Sequence, residues 1–578
     1  MAETWKPIVL SAKVFGHLSQ GLYRTPAGAI KELISNSFDA DATLVRIHTG
    51  FPRFETFSCE DNGCGMEPAE FERLVHKGIG TSYKRVSSAS LTELNHRPMI
   101  GRLGLGILSL AQICTRFDIV SHHEKTATAF RATIQFPPYT KQEMDKIAKK
   151  LPTTPDDEDI QGGTYQVSSE PYDPERRGLR VFTSYLREPF RKRMRSLQRL
   201  ANRQRFSDAG PYKSFDAYLD ALYNHEKPTA STNLLSDYDQ LLFGLALAPP
   251  LPFLEDRNIA VILPSVSSRQ ARLHGFHFEV QVDNLRLANP VSLPWDRERH
   301  TAKESVPTGA EKWSFELHDG ATTERCRVVQ HSLEVAQSDL RFNLYELSYS
   351  NQQVAGSPLE FDGYLFQQTG RLYPREIQGV LIRINDVAIG KYDNSMLTYP
   401  LAEGPRYSMV SSELFVRKGF EDALNIDRDS FNELHPHYMR VQSYLHGLLG
   451  RVFHETWTEE KQRNKARRGR AAEARNSSFV KQYRAATGEK VRTIRPVETP
   501  SKEVRSSSTA SPVRFEPQRG EIEVDRGHPL LGPALRRRKY ASLVDKIAVA
   551  FERANQESGA ARRRELFYRL LSDIFSEL

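Results

Sequence analysis

The first part of the chain, about 190 residues, alternates between helical and strand-like patterns of hydrophobic positions. Apolar residues recur at the spacing of one helix face at Ile30, Leu33, Ile34 and Phe38. Thr25 and Pro26 favour a helix start, because threonine caps the helix and proline lacks the N–H that would be unpaired. Strand-like runs lie at 43–49, 53–60, 117–123, 126–136, 162–169 and 178–186. This alternation, which shows no internal repeat, predicts a mixed α+β domain over residues 1–195.

The middle of the chain divides into three segments by the same patterns. Residues 196–236 are basic and then polar, which indicates a connector of helices and loops. Residues 237–457 predict a second mixed domain, with strands at 276–282, 342–350 and 380–390 and a helix near 437–457. Residues 458–533 are rich in Arg, Ser, Pro and Lys with few large apolar residues, which predicts a basic, largely disordered linker.

The last segment, residues 534–578, regains a helical pattern. One helix face carries Leu543, Ile547 and Phe551, and a second carries Phe567, Leu571, Ile574 and Leu578. The polar stretch NQESGA separates the two faces. This pattern predicts a helical hairpin whose apolar stripes need a partner.

Charge is distributed unevenly along the chain. The formal net charge is +8, but residues 461–540 hold 21 Lys and Arg against 8 Asp and Glu. The basic character therefore belongs to one segment, and a flexible basic segment is typical of contact with nucleic-acid phosphates.

The overall composition sets the expected location of the protein. We find no apolar run of membrane-spanning length and no basic and apolar leader, so we expect a cytoplasmic protein without a membrane partner. Four scattered cysteines suit neither a disulfide framework nor a zinc site; they are Cys59, Cys64, Cys114 and Cys326.

Glu32 and Asn36 are the first candidate chemical residues. They are four positions apart, so they project from one face of the predicted helix. A carboxylate can accept a proton from an attacking water, and an amide oxygen can ligate Mg²⁺. The structural alternative is an exposed polar stripe on an amphipathic helix.

The second candidate is the turn Asp61-Asn-Gly63-Cys-Gly65-Met66, which follows a predicted strand. A carboxylate held by such a turn can accept a hydrogen bond from the amino group of adenine, and the glycines let the base approach the backbone. An ordinary β-turn is the structural alternative, because Asn-Gly is a common turn sequence.

The third candidate is the run Gly101-Arg-Leu-Gly104-Leu105-Gly106, which precedes an apolar helical stretch. Glycines at a helix start expose N–H groups to phosphates, and the helix dipole adds to the attraction. The spacing GxxGxG differs from the dinucleotide fingerprint GxGxxG, and the chain contains no GxxxxGK[ST].

Together these motifs resemble the GHKL superfamily, which includes gyrase B, heat-shock protein 90, histidine kinases and MutL-type proteins. ELISNSFDA (32–40) resembles its N-box, DNGCGM (61–66) and GRLGLG (101–106) its glycine boxes, and HKGIGTSYKR (76–85) the start of its ATP lid. The resemblance implies an N-terminal α/β sandwich of the Bergerat type that binds ATP and Mg²⁺. The later Gly-Thr motif of the family could be either 163–164 or 178–179.

The resemblance also implies roles for individual residues. Glu32 would be the general base and Asn36 the Mg²⁺ ligand, which acts together with the ATP phosphates. The remaining expected nucleotide contacts are Asp39, Asp61, Gly63, Gly65, Met66, Lys84, Gly101, Gly104, Leu105 and Gly106.

A second resemblance is to the heat-shock protein 90 middle domain. Residues 413–433 contain Leu424-Asn425-Ile426-Asp427-Arg428-Asp429, which is similar to its Leu-Asn-x-Ser-Arg-Glu pattern with Asp in place of Ser and Glu. This likeness implies that Arg428 reaches the γ-phosphate of ATP from the second domain. A surface arginine paired with Asp427 or Asp429 is the structural alternative.

These observations predict a slow Mg²⁺-dependent ATPase that works as an ATP-gated, homodimeric clamp. The middle-domain likeness favours a chaperone that remodels protein clients, although the chaperone's C-terminal dimerisation domain is not recognisable. One alternative is a DNA-associated clamp similar to MutL or MORC ATPases, in genome maintenance or defence, which the basic 461–540 segment favours. The other is a nucleotide-dependent regulator without hydrolysis, against which the presence of Glu32 argues.

Overall fold

In the computed structural model, the chain divides into two compact units, Met1–Gly450 and Arg451–Leu578. The structure describes all residues except 1–4, 12–24, 76–90, 101–108, 137–158, 196–211, 224–235, 255–256, 294–302, 305–310, 320–321, 335–341, 426–428, 498–510, 517–518, 520, 527–530, 532–540 and 577–578. No helix among the described residues is long and apolar enough to cross a membrane.

A nine-stranded sheet forms the first layer of the Met1–Gly450 unit, with strand order β1-β6-β5-β4-β7-β3-β2-β8-β9. Its strands are β1 Lys6–Ser11, β2 Leu44–His48, β3 Phe57–Asp61, β4 Arg116–His123, β5 Thr128–Gln135, β6 Asp159–Ser169, β7 Gly178–Thr183, β8 Glu279–Val282 and β9 Leu285–Arg286. The α-helices described before β10 are α1 Pro26–Asp39, α2 Pro68–Val75, α3 Glu188–Arg195, α4 Phe215–Tyr223, α5 Asp237–Leu247 and α6 Pro264–Gly275. The α+β class is confirmed.

Helix α1 forms as its sequence predicts. The Thr25 side chain accepts a hydrogen bond from the Gly28 N–H at 3.1 Å, and Pro26 occupies the first turn. The helix buries Ile30, Leu33, Ile34 and Phe38. Its first turn lies close to α5. A Cβ added to Gly244 of α5 would lie only 2.9 Å from the Ala27 Cβ.

The first sheet extends beyond the predicted boundary at residue 195. Strand β8 pairs with β2 in parallel, with Val280 opposite Val45. Residues 276–282, assigned from sequence to the second domain, therefore contribute a strand to the first sheet. Alternating patterns predict a strand but not its partner, because the same apolar face suits either sheet. The boundary itself stays a prediction.

A second sheet of eight strands follows, with order β10-β12-β13-β14-β17-β15-β16 and with β11 paired to β12. Its strands are β10 Lys303–Glu304, β11 Glu311–Asp319, β12 Thr322–Glu334, β13 Phe342–Val354, β14 Ser357–Gln368, β15 Gly379–Ile384, β16 Val387–Asp393 and β17 Val410–Lys418. Strands β15 and β17 are parallel, whereas the other pairs are antiparallel. Every residue of β15 is buried, which agrees with its nearly continuous apolar sequence.

Helix α7, Pro436–Thr487, runs from the end of the first unit into the second. The second unit also contains β18 Thr493–Val497, β19 Val513–Glu516 and β20 Glu521–Asp525 in one sheet, and the helices α8 Ala541–Asn555 and α9 Ala560–Ser576. The predicted C-terminal helical hairpin is thus present. Its faces lie against a small core that includes Phe479, Tyr483, Ile522 and Val524.

This second unit corrects the expectation of a largely disordered linker over residues 458–533. Within the described part of that range the chain forms a helix and three strands. The prediction was wrong because it averaged composition over the whole segment. A few apolar residues at suitable positions, such as Val480 and Ile494, are enough for a small core when helices α8 and α9 cover it.

Candidate nucleotide-binding site

Glu32 and Asn36 project from helix α1 as the sequence predicts. Glu32 is 8% exposed, so its carboxylate lies on the inner side of the helix instead of in a solvated stripe. Asn36, one turn later, is partly buried. Their burial disagrees with the structural alternative of an exposed polar face.

The Asp61 carboxylate, at the end of β3, accepts hydrogen bonds from three uncharged donors. Its Oδ1 accepts hydrogen bonds from the N–H of Gly63 at 2.9 Å and of Leu179 at 3.3 Å. Its Oδ2 accepts from the Ser37 hydroxyl at 2.9 Å. Burial raises the pKa of the Asp61 carboxyl, and these hydrogen bonds oppose that rise without cancelling it.

The glycines of the 61–66 turn have a packing role. Gly65 has φ +72°, and a Cβ there would lie 2.3 Å from the His122 carbonyl oxygen. A Cβ on Gly63 would lie 2.6 Å from the Ala40 carbonyl oxygen. Close backbone contacts to α1 and β4 therefore account for both glycines. Their expected part in base binding stays a prediction.

Met66 is fixed to the neighbouring strand β4. Its N–H donates to the Ser121 hydroxyl at 2.8 Å, and that hydroxyl donates to the Met66 carbonyl at 3.1 Å. The Met66 side chain is partly buried and packs against the core.

Two partners of Asp61 were not assigned from sequence. Ser37 stands in the N-box one residue after Asn36, so helix geometry alone did not indicate that it faces β3. Leu179 belongs to one of the two candidate Gly-Thr positions, and antiparallel pairing of β3 with β7 brings it to Asp61. The other candidate, 163–164, pairs with β1 at the far edge of the sheet.

The segment 91–100 lies within the range of about 76–106 that the family resemblance implies for the ATP lid, and it is bound to the end of helix α1. The Ile100 N–H donates to Asp39 Oδ1 at 2.7 Å. Arg97 is fully buried, donates to the Ala42 carbonyl at 2.6 Å and lies 4.9 Å from the Phe38 ring centroid. The 91–100 segment therefore has fixed contacts. The expected role of Asp39 in nucleotide contact stays a prediction.

Asp41 is a second carboxylate at this helix end. It accepts hydrogen bonds from the Thr92 hydroxyl at 2.5 Å and from the Leu94 N–H at 2.8 Å, and Asn95 donates as well. Burial opposes its ionisation, but these donors together hold the pKa of Asp41 below its ordinary value. Asp41 thus holds the 91–100 segment as an ionised carboxylate.

Six of the predicted site residues lie outside the described residues. They are Lys84, Gly101, Gly104, Leu105, Gly106 and Arg428. Their expected roles stay predictions.

The described residues are compatible with a Mg²⁺ ion that is coordinated partly by the ATP phosphates. They contain no group of three or more His, Cys, Asp or Glu able to hold a metal ion. Mg²⁺ commonly binds through few protein oxygens together with substrate phosphates. The partly buried amide of Asn36, one turn from Glu32, suits that arrangement.

Comparison with known proteins defines the class of this site. Residues 23–162 match the family described as "Histidine kinase-, DNA gyrase B-, and HSP90-like ATPase". This range includes helix α1 and the 61–66 turn. The chain therefore carries a GHKL-type ATPase domain.

The relatives found match only a short part of the chain. The DNA mismatch repair protein MutL of Neisseria meningitidis serogroup C (strain 053442) is 30% identical over 104 residues, which are 18% of this chain and 15% of that protein. The putative type II restriction enzyme HgiDII of Herpetosiphon aurantiacus is 31% identical over 125 residues, 21% of this chain and 19% of the enzyme. The match thus spans less than a fifth of each relative.

One solved structure, of the N-terminal domain of a DNA repair protein, covers 76% of this chain and 98% of its own. Its TM-score is 0.34 at 12% identity, and this likeness is too weak to support a conclusion about the present chain. The expected specific likeness to heat-shock protein 90 stays a prediction, because these relatives are of other kinds.

Proposed function

We propose that this protein binds ATP with Mg²⁺ and hydrolyses it slowly at the helix α1 and β3 site. The observation that carries the proposal is the buried carboxylate of Asp61. A carboxylate offers about four acceptor positions, and neutral donors from Ser37, Gly63 and Leu179 use three. The remaining position on Oδ2 suits the amino group of adenine.

The helix beside Asp61 carries the proposed chemistry. Glu32, which is buried, accepts a proton from the attacking water, and a carboxylate in such a position is well suited to general-base catalysis. Asn36 contributes an oxygen ligand one turn away. Mg²⁺, when bound, would neutralise charge on the phosphates.

The test is Mg²⁺-dependent ATP hydrolysis by the wild type, Glu32→Ala and Asp61→Asn, with nucleotide binding measured in parallel. We expect Glu32→Ala to bind ATP but to lose turnover by at least about 100-fold. We expect Asp61→Asn to lose binding. Wild-type turnover that survives Glu32→Ala would contradict the proposed site. Binding without wild-type turnover would favour a nucleotide-dependent regulator.

We also propose that the ATPase is a homodimeric, DNA-associated clamp instead of a chaperone for protein clients. The supporting observation is helix α7, in which residues 461–470 hold six Lys or Arg and no Asp or Glu. Lys461, Lys465 and Arg467 are exposed there. Exposed cations on a helix bind phosphate backbones without sequence preference. The relatives named for DNA mismatch repair and restriction favour the same class.

DNA binding is tested with Lys461→Gln, Lys465→Gln and Arg467→Gln combined, on plasmid DNA at several salt concentrations. The control removes equal charge from exposed positions of the first unit: Arg176→Gln, Arg371→Gln and Lys391→Gln. We expect the slope of log affinity against log salt to fall by about 2 to 3 only in the α7 variant. An equal decrease of this slope in both variants would contradict a DNA-binding face on α7 and would favour the protein-client alternative.

A further inference from the structure

Helix α7 carries an exposed tryptophan, Trp457, directly before its basic residues. Trp457 is 46% exposed. An indole in water forgoes the stabilisation that its large apolar surface gives when it is buried. Single exposed apolar residues are common on proteins, so the exposure by itself indicates nothing. The neighbours of Trp457 on the helix give it a meaning.

Four exposed side chains form a line along one face of α7, which we call the Trp457 stripe. The stripe consists of His454, Trp457, Lys461 and Lys465. Their spacing of three, four and four positions keeps them on one side of an α-helix. Neighbouring members are about 4.5 to 6 Å apart along the helix axis, at about 1.5 Å per residue. A ligand strand that runs along this face therefore meets an aromatic ring and then about one cation per turn.

The Trp457 ring contacts both of its neighbours in the stripe. Lys461 Nζ lies 4.8 Å from the centroid of the indole ring, and the ring of His454 lies 6.3 Å away, tilted by 31°. Within the described part of the chain, both ring contacts of Trp457 come from its own helix. The attraction between an exposed cation and an aromatic ring is weak. The Lys461 ammonium is thus held beside the ring and can exchange it for a phosphate.

We infer that the Trp457 stripe binds unpaired nucleobases: one base stacks on the Trp457 indole, and Lys461 and Lys465 contact the adjoining phosphates. The inference rests on the proposed DNA-associated function and deepens it by naming the substrate class, single-stranded DNA. An aromatic ring can stack on any base, because every base has a π face. In duplex DNA both faces of a base are covered, and stacking on the indole would first require costly unstacking.

The first test measures the Kd of two labelled DNAs by fluorescence anisotropy, a thymidine oligonucleotide and a duplex of equal length. We expect Trp457→Ala to raise the Kd of the single strand about 10-fold and that of the duplex less than about twofold. Trp457→Phe should restore most of the single-strand affinity, because phenylalanine keeps a ring for stacking. An unchanged single-strand Kd in Trp457→Ala, or equal increases for both DNAs, would overturn the inference.

The matched control is Trp5→Ala in the first unit. Trp5 is 44% exposed, so it is a tryptophan of nearly equal exposure that lies outside the stripe. We expect its Kd for both DNAs to equal that of the wild type. Equal losses of single-strand affinity in the two tryptophan variants would contradict a stacking site on α7.

The second test observes the ring itself. The chain has four tryptophans, and stacking of a base on Trp457 should quench part of their fluorescence when the thymidine oligonucleotide is added. We expect Trp457→Phe to lose this quenching and Trp5→Phe to keep it. Quenching that is retained in Trp457→Phe would overturn the stacking contact.

These outcomes separate the stacking site from the proposed DNA-associated function. Duplex binding that depends on the α7 cations, with single-strand affinity unchanged in Trp457→Ala, would support that function and overturn the stacking site. Single-strand binding that depends on Trp457, without duplex binding, would support the stacking site and contradict binding to plasmid DNA. A change of oligomeric state in Trp457→Ala with unchanged DNA affinity would mean that the stripe contacts protein, and would overturn the inference.

Discussion

The first and second sheets both bury carboxylates, but they hold them in different ways. Asp61 in the first sheet is bound by neutral N–H and O–H donors. Glu413 in the second sheet is fully buried beside the fully buried Arg383, with Arg383 Nε 2.7 Å from its Oε2 and the Tyr392 hydroxyl 2.8 Å from its Oε1. Asp386 is likewise paired with two arginines.

The difference separates a binding carboxylate from a structural one. A carboxylate that is paired with arginine has little capacity to bind a ligand. Its removal leaves the arginine charge buried without a partner. A carboxylate that is held by neutral donors costs stability, but it keeps an acceptor position for an incoming donor. The same replacement of acid by amide should therefore weaken folding in the second sheet and weaken only nucleotide binding in the first.

The largest effect is expected for Glu413→Gln. It leaves Arg383 charged and uncompensated at a site with no exposure, so the free energy of unfolding should fall by about 4 kcal/mol. Urea denaturation measures it. A loss below about 1 kcal/mol would mean that water or rearrangement compensates the arginine, and the contrast with Asp61 would fail.

Asp386→Asn should cost about 3 kcal/mol for the same reason, somewhat less because Arg272 is about half exposed. Burial opposes ionisation of Asp386, but Arg269 and Arg272 hold its pKa below the ordinary value. Wild-type stability from this group is therefore present above about pH 4 and is lost as pH falls through the lower folded pKa. Urea titrations from pH 7 to pH 2 should show this loss in the wild type, whereas Asp386→Asn should lack it.

Asp61→Asn should reduce ATP affinity by about 100-fold, or about 2.8 kcal/mol, without loss of stability. The asparagine oxygen can keep the Gly63 and Leu179 donors, and its amide nitrogen can donate to Ser37, but it cannot accept from adenine. Because the folded pKa of Asp61 is raised, the wild type loses stability as pH rises through that pKa, and the variant removes this loss. Calorimetric titration and urea denaturation measure the two effects, and a less stable variant would contradict the comparison.

The smallest effect concerns Thr25→Ala, which removes the cap of helix α1. It should lower the free energy of unfolding by about 1 kcal/mol and raise KM for ATP, because Asn36, the proposed Mg²⁺ ligand, lies on that helix. Ser214→Ala removes a similar capping bond, to the Ala217 N–H at 3.2 Å, from helix α4. We expect that control to cost similar stability with KM unchanged. An equal rise of KM in both variants would mean that the effect is not local.

Local sequence signals predicted the elements of the site well. The Thr25 cap and the apolar spacing of α1 were sufficient for the helix, and both are confirmed. The two glycines after Asp61 lie in the irregular stretch between β3 and α2. Signals spread over long segments were less reliable, because the composition of residues 458–533 did not indicate the small core around Phe479 and Ile522.

The sequence by itself determined the helix with Glu32 and Asn36, the turn with Asp61, and the α+β class, because each depends on residues close together in the chain. Only the tertiary structure decided the rest. Pairing of β3 with β7 brought Leu179 to Asp61, and packing of the second sheet brought Asp429 to Lys31. Contacts between residues hundreds of positions apart leave no periodic trace in sequence, since they depend on which surfaces meet when the sheets assemble.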